Sequence, residues 1–335
     1  MPGFCPIPRD SRVAAKWLLA CATAVMCMLG GHAPAQEYPS RALRLVVPFP
    51  PGGGTDGVAR TLSQRLAEAL AQPVVVENRP GGGGLVAWSE TSRAAPDGYT
   101  LVVIANNLRL YPLMQITTTF DPDRDLVPVA TIASVPMVLA ASRKAPVGGV
   151  KELILEARSE RGKVNSGTVG NGSPHHLASA RFAAEIGATF THIPYKGTAP
   201  LVTDLLGEQI EIAFVPLSVA LPHLRTGKLR SYGVALTQRS RLAPDLPTLA
   251  ENGGPSFDAS YWYAIAVPRA TPDAVTRRLN AELVKILDQA PMKESLARQG
   301  FEPMPASLEQ SAQHLADEIA KWSGPIRTFG IRADQ

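Results

Sequence analysis

Cysteine is missing from nearly the whole chain: of 335 residues only Cys5, Cys21 and Cys27 carry a thiol. If the segment holding them is removed on export, the remainder can form no disulfide, thiolate metal site or cysteine nucleophile, and its fold rests on packing alone. Strong charge is missing as well. The 33 basic and 29 acidic residues fall to 30 and 28 once Arg9, Arg12, Lys16 and Asp10 are set aside, a net +2 that argues against nucleic acid as a partner. After the amino-terminal stretch no apolar, charge-free run reaches the about 20 residues that a membrane helix needs. Repeats and low-complexity segments are absent. The histidines beyond residue 35 (His175, His176, His192, His223, His314) are too scattered for a metal motif, and the adjacent pair points about 100° apart on a helix.

What is present at the start has the layout of a secretory signal: Arg9, Arg12 and Lys16, an apolar run from Trp17 to Leu29, then Ala33-Pro34-Ala35. Cleavage after Ala35 is expected, with Gln36 as the new amino terminus and the periplasm as destination. Leu18-Leu19-Ala20-Cys21 has the form of a lipoprotein box, but only Trp17 to Ala20 separate Lys16 from Cys21, short of an apolar core. Arg9 and Arg12 are not adjacent, which counts against a twin-arginine signal.

About 300 residues then follow, more than one hydrophobic core usually organises, so two lobes are expected. Leu43 to Val47 runs into Pro48-Phe49-Pro50-Pro51-Gly52-Gly53-Gly54 and a helix carrying Val58, Leu62, Leu66 and Leu70 on one face. This strand, loop and helix beat recurs at Val74 to Val76 and at Tyr99 to Ile104, which implies a mainly parallel α/β sheet. After Val135 to Ala141 it starts afresh. A helix near Lys151 to Arg158, a strand near Val164 to Val169, the loop Gly170 to Pro174 and a helix from His175 to Ile186 come first. A strand at Thr191 to Pro194, the loop Tyr195-Lys196-Gly197, a helix through Leu205 and a strand at Ile210 to Phe214 complete a second α/β lobe. The tail opens with a strand at Tyr261 to Val267. Two helices follow, one starting at Thr271-Pro272 and one at Ser307 with a capping-box Gln310, and they are expected to cover the first lobe.

Gly52-Gly53-Gly54-Thr55-Asp56-Gly57 matches G-x-G-x-x-G, and Glu77 follows about 20 residues later, as an NAD-dependent oxidoreductase would require. Pro48, Pro50 and Pro51 stiffen an approach that should be compact, and an export signal leads away from nicotinamide pools. The loop still suits an anion, because backbone N–H groups can approach closely and a helix amino terminus carries about half a positive charge. A tight turn capped by Thr55 or Asp56 is the plainer reading. Gly170-Asn171-Gly172-Ser173 offers a matching element in the second lobe, with Ser173 as helix cap or ligand donor. Ser173 and His176 make no hydrolase, since G-x-S-x-G is absent and no third member can be named. His176 is expected to brace its helix start, Glu77 and Arg79 to organise their loop, and Tyr261, Trp262 and Tyr263 to pack in the core or hinge. Lys196 is open to either reading, solvated or paired with a carboxylate.

Pro48 to Asp56, Val76 to Gly81, Ala95-Pro96-Asp97-Gly98-Tyr99-Thr100-Leu101, Pro194 to Gly197, Leu221 to Leu224, Gly227 to Arg230, Tyr261 to Tyr263 and Gly330 to Asp334 together resemble the Bug family, receptors of tripartite tricarboxylate transporters. The resemblance runs in order from Tyr38 to Asp334. It implies a two-lobed periplasmic-binding-protein fold of the second type: a first lobe over 36–138, a second over 139–260, and a return to the first over 261–335. It further implies a monomer that binds a small carboxylate (a dicarboxylate, an aromatic acid or a related compound) without catalysis, cofactor or metal, and delivers it to membrane components of such a transporter or to a sensor. Carried over residue by residue, it assigns ligand binding to Phe49, Pro51, Gly53, Thr55 and Asp56 in the first lobe. In the second lobe it assigns Gly172, Ser173, Tyr195, Lys196 and Gly197. Three positions depart from the family pattern: Leu85 where asparagine is frequent, Trp88, which is large for its place, and Val215 where aspartate is usual. If Val215 faces the cleft, an apolar or aromatic acid is favoured over an amino acid.

Overall fold

The computed structural model describes residues 38–146, 149–159 and 164–332. The expected signal, and with it the cleavage after Ala35, lies outside them.

Two sheets organise the chain. The first has the order β11-β4-β10-β3-β1-β2. Its parallel half is β1 (Leu43–Val47), β2 (Val74–Asn78) and β3 (Thr100–Ala105). Antiparallel to these run β10 (Tyr261–Pro268), which pairs with both β3 and β4 (Leu126–Val135), and β11 (Glu302–Pro303) at the edge. The second sheet has the order β7-β6-β8-β5-β9. Here β6 (Val164–Thr168), β7 (Phe190–Pro194) and β8 (Ile212–Pro216) are parallel, while β5 (Met137–Ala141) runs antiparallel to β8 and β9 (Arg230–Val234). The fold is two-lobed, with one sheet in each lobe.

The chain passes between the sheets twice. Pro136 alone separates β4 from β5, so the apolar run that reads as one strand in sequence is split between sheets by a residue with no N–H to offer a ladder. The return is through Ala259, whose N–H donates to the Ala235 carbonyl, directly before β10.

In the first lobe α1 (Gly54–Leu70) buries Val58, Leu62, Leu66 and Leu70, the expected stripe, and α2 (Leu85–Ser92) follows the second glycine run. The second lobe holds α3 (Val150–Arg158), α4 (Pro174–Glu185), α5 (Thr198–Leu206) and α6 (Leu217–Arg225). Sequence periodicity misses α6 because Pro222 interrupts it, and misses β9 because Arg230-Ser231-Tyr232-Gly233-Val234 has too few apolar residues. The tail contains three helices where two are expected: α7 (Asp273–Asp288), α8 (Ala290–Arg298) and α9 (Leu308–Phe329). A single residue, Gln289, ends α7 and caps α8, which leaves no loop to mark the break. The cap of α7 is Pro272, one residue later than expected, and makes no side-chain bond. At α9 the capping box is formed: the Ser307 hydroxyl accepts from the Gln310 N–H, and the Gln310 side chain accepts from the Ser307 N–H.

The last helix packs on β4 of the first sheet and also reaches the second lobe. Trp322 and Ile326 of α9 join Leu110 and Met114 of the first lobe in a buried cluster with Leu177 and Ala180 of α4. Arg181 of α4 lays its guanidinium over the Trp322 ring, 5.5 Å from the centroid. Apolar contacts of this kind contribute through the area they remove from water, so this cluster ties the lobes together beside the crossings.

Candidate functional site

Three helix amino termini converge between the lobes. Gly53, Gly54 and Thr55 open α1; Pro174 and His175 open α4; Gly197, Thr198 and Ala199 open α5. All eight residues line one chamber, closed on a further side by Tyr261 and Tyr263 of β10. First-turn N–H groups have no partner within their own helix, and each terminus carries partial positive charge. No lysine, arginine, aspartate or glutamate is among the residues lining the chamber. Its attraction for an anion therefore comes from dipoles.

The polar side chains of the chamber form chains that end in it. The Thr55 hydroxyl donates to the Tyr263 hydroxyl at 2.6 Å, and the Tyr263 hydroxyl shares a 2.9 Å bond with that of Tyr261. Burial pushes Tyr263 up to about 12 and Tyr261 well above the ordinary tyrosine value, so both phenols keep their protons as donors. Across from them the Thr198 hydroxyl bonds to His175 Nε2 at 3.2 Å. His175 is 4% exposed, and its Nδ1 has no hydrogen-bond partner among the described residues. Burial pulls its pKa down to about 3, so the ring is neutral at physiological pH and offers a directional hydrogen bond without charge.

The chamber is shut tightly. Its free space is about 10 Å³, room for roughly one water. Beside it lies a roomier annex of about 610 Å³, lined by Pro80, Leu85, Ile116, Pro194, Tyr195 and Lys196 among others. Phe49 and Val169 belong to both walls.

The residues that sequence reasoning assigned to the ligand divide three ways. Gly53, Thr55 and Gly197 line the chamber, Phe49 lines chamber and annex, and Tyr195 and Lys196 line the annex alone. The Tyr195 hydroxyl donates to Asp204 at 2.9 Å, while Lys196 is exposed and has no ion pair among the described residues. Asp56, Gly172 and Ser173 hold the loops instead. Asp56 is buried and accepts from the Gly52 N–H, Arg60 and Asn78. Burial alone would raise its carboxyl, but these three bonds keep it below its ordinary value. The cap of α1 is Gly53, so neither Thr55 nor Asp56 caps that helix. Ser173 does cap α4, accepting from the His176 N–H. Gly172 donates its N–H to His176 Nδ1 and accepts from Asn107 of the first lobe at 2.8 Å. A Cβ at Gly172 would lie 2.5 Å from Ile116 and 2.7 Å from Tyr111, so only glycine permits this approach of the lobes. Pro51 is exposed and lines neither space; its neighbour Pro50 meets the chamber.

Val215 and Trp88 both turn away from the cleft. Val215 is fully buried in the core of the second lobe, and Trp88 is buried with its indole N–H donating to the Val103 carbonyl. The inference that Val215 shapes the ligand thus loses its basis, whereas Leu85 does line the annex. Sequence reasoning also missed His175, Thr198, Tyr261 and Tyr263. The available signal was the alternation of β10, which puts Tyr261 and Tyr263 on one face and Trp262 on the other, with Trp262 donating to the buried Glu318.

A dinucleotide site finds no support at Gly52–Gly57. The Glu77 carboxylate that would hold a ribose is held by Arg44, which donates to both its oxygens at 3.0 and 2.9 Å, and by Arg79 at 3.0 Å. Among the described residues no group of three or more His, Asp or Glu side chains is placed to hold a metal ion, and no helix is long and apolar enough to cross a membrane.

Two α/β lobes, two crossings and an anion-seeking chamber between them define the class of two-lobed solute-binding proteins. Comparison with known proteins narrows this: residues 58–331 match the family described as the tripartite tricarboxylate transporter family receptor, TctC, and the chain belongs to that family. It is 36% identical over 300 residues to the protein BugT of Bordetella pertussis, covering 89% of this chain and 92% of that one. Among solved structures it is similar to the R. palustris protein Rpa4515 with adipate (33% identity, TM-score 0.84, 88% and 99% of the two chains). It is also similar to MatC from Rhodopseudomonas palustris with bound malate (31% identity, TM-score 0.81, 86% and 100%). The family is one of receptors that serve a transporter, not of enzymes.

Proposed function

We propose that this protein captures a small carboxylate (a dicarboxylate, an aromatic acid or a related compound) in the periplasm by closing its lobes, 36–138 with 261–335 against 139–260, around it. The observation that carries this reading is the convergence of three helix amino termini on a chamber with no ionised wall. A carboxylate there meets N–H dipoles and neutral donors, the Tyr261 hydroxyl at the end of the Thr55–Tyr263 chain and one proton from the hydrogen-bonded pair of Thr198 and His175, while the water it leaves behind is excluded. Adipate and malate in the two R. palustris relatives support the same ligand class. Phe49, Gly53, Thr55 and Gly197 touch the ligand on this reading. Asp56, Gly172 and Ser173 position the loops, and Tyr195 and Lys196 stand at the annex. The protein acts as a monomer after cleavage following Ala35 and hands its ligand to membrane components of a tripartite tricarboxylate transporter or to a sensor.

The test is a thermal-shift screen of protein recovered from the periplasmic fraction and refolded free of ligand, against dicarboxylates, aromatic acids and amino acids. At a hundredfold excess over its dissociation constant a true ligand adds about 2.7 kcal/mol of stability, a shift of several degrees. A selective, saturable shift with an acid supports the reading. Absence of any shift across the carboxylates refutes it.

A further inference from the structure

We infer that the ligand is a monocarboxylate with an apolar tail, its head in the chamber and its tail in the annex, and that diacids of equal length are discriminated against. The inference rests on the carboxylate-binding reading above and specifies the other end of the ligand. In the closed state the chamber is too small for a whole organic acid, with free space for roughly one water, so the rest of the molecule needs another place. The annex adjoins it along Phe49 and Val169 and offers about 610 Å³. Leu85, Ile116, Val169, Pro80, Pro194 and the ring of Tyr195 give it mainly apolar walls, and the Tyr195 hydroxyl is already committed to Asp204.

A second carboxylate would meet no buried charged side chain there, only the backbone of Gly81–Gly83 and Gly170 beside the apolar walls. Lys196 is the one ionisable side chain among the lining residues whose hydrogen-bonding groups are free, and it is exposed at the rim, where a single ion pair is screened by water. Asn171 is exposed too. A carboxylate drawn off water against Leu85 and Ile116 loses its hydration without a buried partner in return. A methylene or phenyl tail gains from the same walls, by about fourfold in affinity for each buried CH₂.

The test is calorimetric titration of the ligand-free protein with two series: straight-chain monoacids from propionate to octanoate with 3-phenylpropionate, and diacids from succinate to suberate. Affinity is expected to rise about fourfold per methylene along the monoacids until the annex is filled, with hexanoate at least tenfold tighter than adipate. Leu85→Gln should weaken octanoate fivefold or more and propionate far less. A flat monoacid series overturns the inference. So do diacids that bind as tightly as monoacids of their length, particularly if Lys196→Met then weakens them. Either result leaves the carboxylate reading intact. Silence across both series removes that reading and this inference together.

Discussion

Gly197→Ala separates closure of the lobes from their folding. Gly197 precedes α5 with φ 154° and ψ 173°, a region that L-residues rarely adopt, and a Cβ built there falls 2.8 Å from Pro50 Cδ and 3.2 Å from Pro50 Cγ, across the cleft. Carbon atoms want about 3.5–4.0 Å, and the proline ring has no rotamer by which to withdraw, so the lobes must part by roughly 1 Å. Two costs follow, on different states. Backbone strain of about 1–3 kcal/mol falls on the second lobe whether open or closed and lowers stability in urea. Overpacking of similar size, about 1–3 kcal/mol, falls only on the closed state and weakens affinity by about 5- to 150-fold through the population of closed protein. Calorimetric titration of the variant with its best acid measures the second cost, and denaturation without ligand measures the first. Pro50→Ala removes the two nearest ring atoms and leaves Pro50 Cβ at 3.9 Å, so the double variant should regain most of the lost affinity while keeping the lost stability. Wild-type affinity in Gly197→Ala, or an affinity loss that Pro50→Ala does not relieve, would refute the reasoning.

Further outcomes follow from the buried polar groups. Tyr263→Phe leaves the Thr55 hydroxyl without its acceptor and Tyr261 without its partner; a stability loss of about 1–3 kcal/mol in urea is expected, with weaker ligand binding in the same protein. His175 is neutral in the fold down to about 3, whereas the unfolded ring takes up a proton near 6.5. Its contribution is therefore intact above pH 6.5 and is lost as pH falls from there towards 3, at up to about 1.4 kcal/mol per pH unit. His175→Gln should melt with a shallower acid limb than the wild type over that window, and equal slopes would count against a buried neutral ring. Glu318 accepts from Asn106, Trp262 and Trp322, and burial raises its pKa above the ordinary 4.5, so the wild type should lose stability as pH rises through that raised value. Glu318→Gln keeps an acceptor and should lack that fall in a series of melts, while Glu318→Leu strands the three donors and should cost several kcal/mol.

Much of this architecture is legible in the residues, and the illegible parts have physical reasons. The passage from β1 through the glycines to α1, and from β6 to α4, is marked by an apolar run, a glycine cluster and a 3.6-residue stripe. Those signals locate two of the three helix termini in the chamber. The third, at α5, is visible only as the loop Tyr195-Lys196-Gly197, because one glycine stands there in place of a glycine cluster. Alternation along Tyr261-Trp262-Tyr263 reveals which rings share a face but not whether that face meets a core or a cleft; both are apolar, and the distinction belongs to the other lobe. The same limit separates His175 from His176. Helical geometry sends them in different directions, and only the position of α5 decides which one reaches Thr198. Val215 illustrates the same limit: its place in the sequence leaves open whether it faces cleft or core, and the fold puts it in the buried cluster that also holds Leu201, Val202 and Leu205 of α5.

Phe49 gives the receptor a resting posture. Its ring is carried by the first lobe but packs against the apolar core of the second, over Val169 and its neighbours. Swinging the lobes apart would wet both surfaces at once, so opening works against the hydrophobic effect even when no solute is present. On the closing motion proposed above, this contact biases the vacant receptor toward the shut state. Trimming the side chain at position 49 should release that bias and, because Phe49 also lines the chamber, change the strength of the grip as well as the rate of capture.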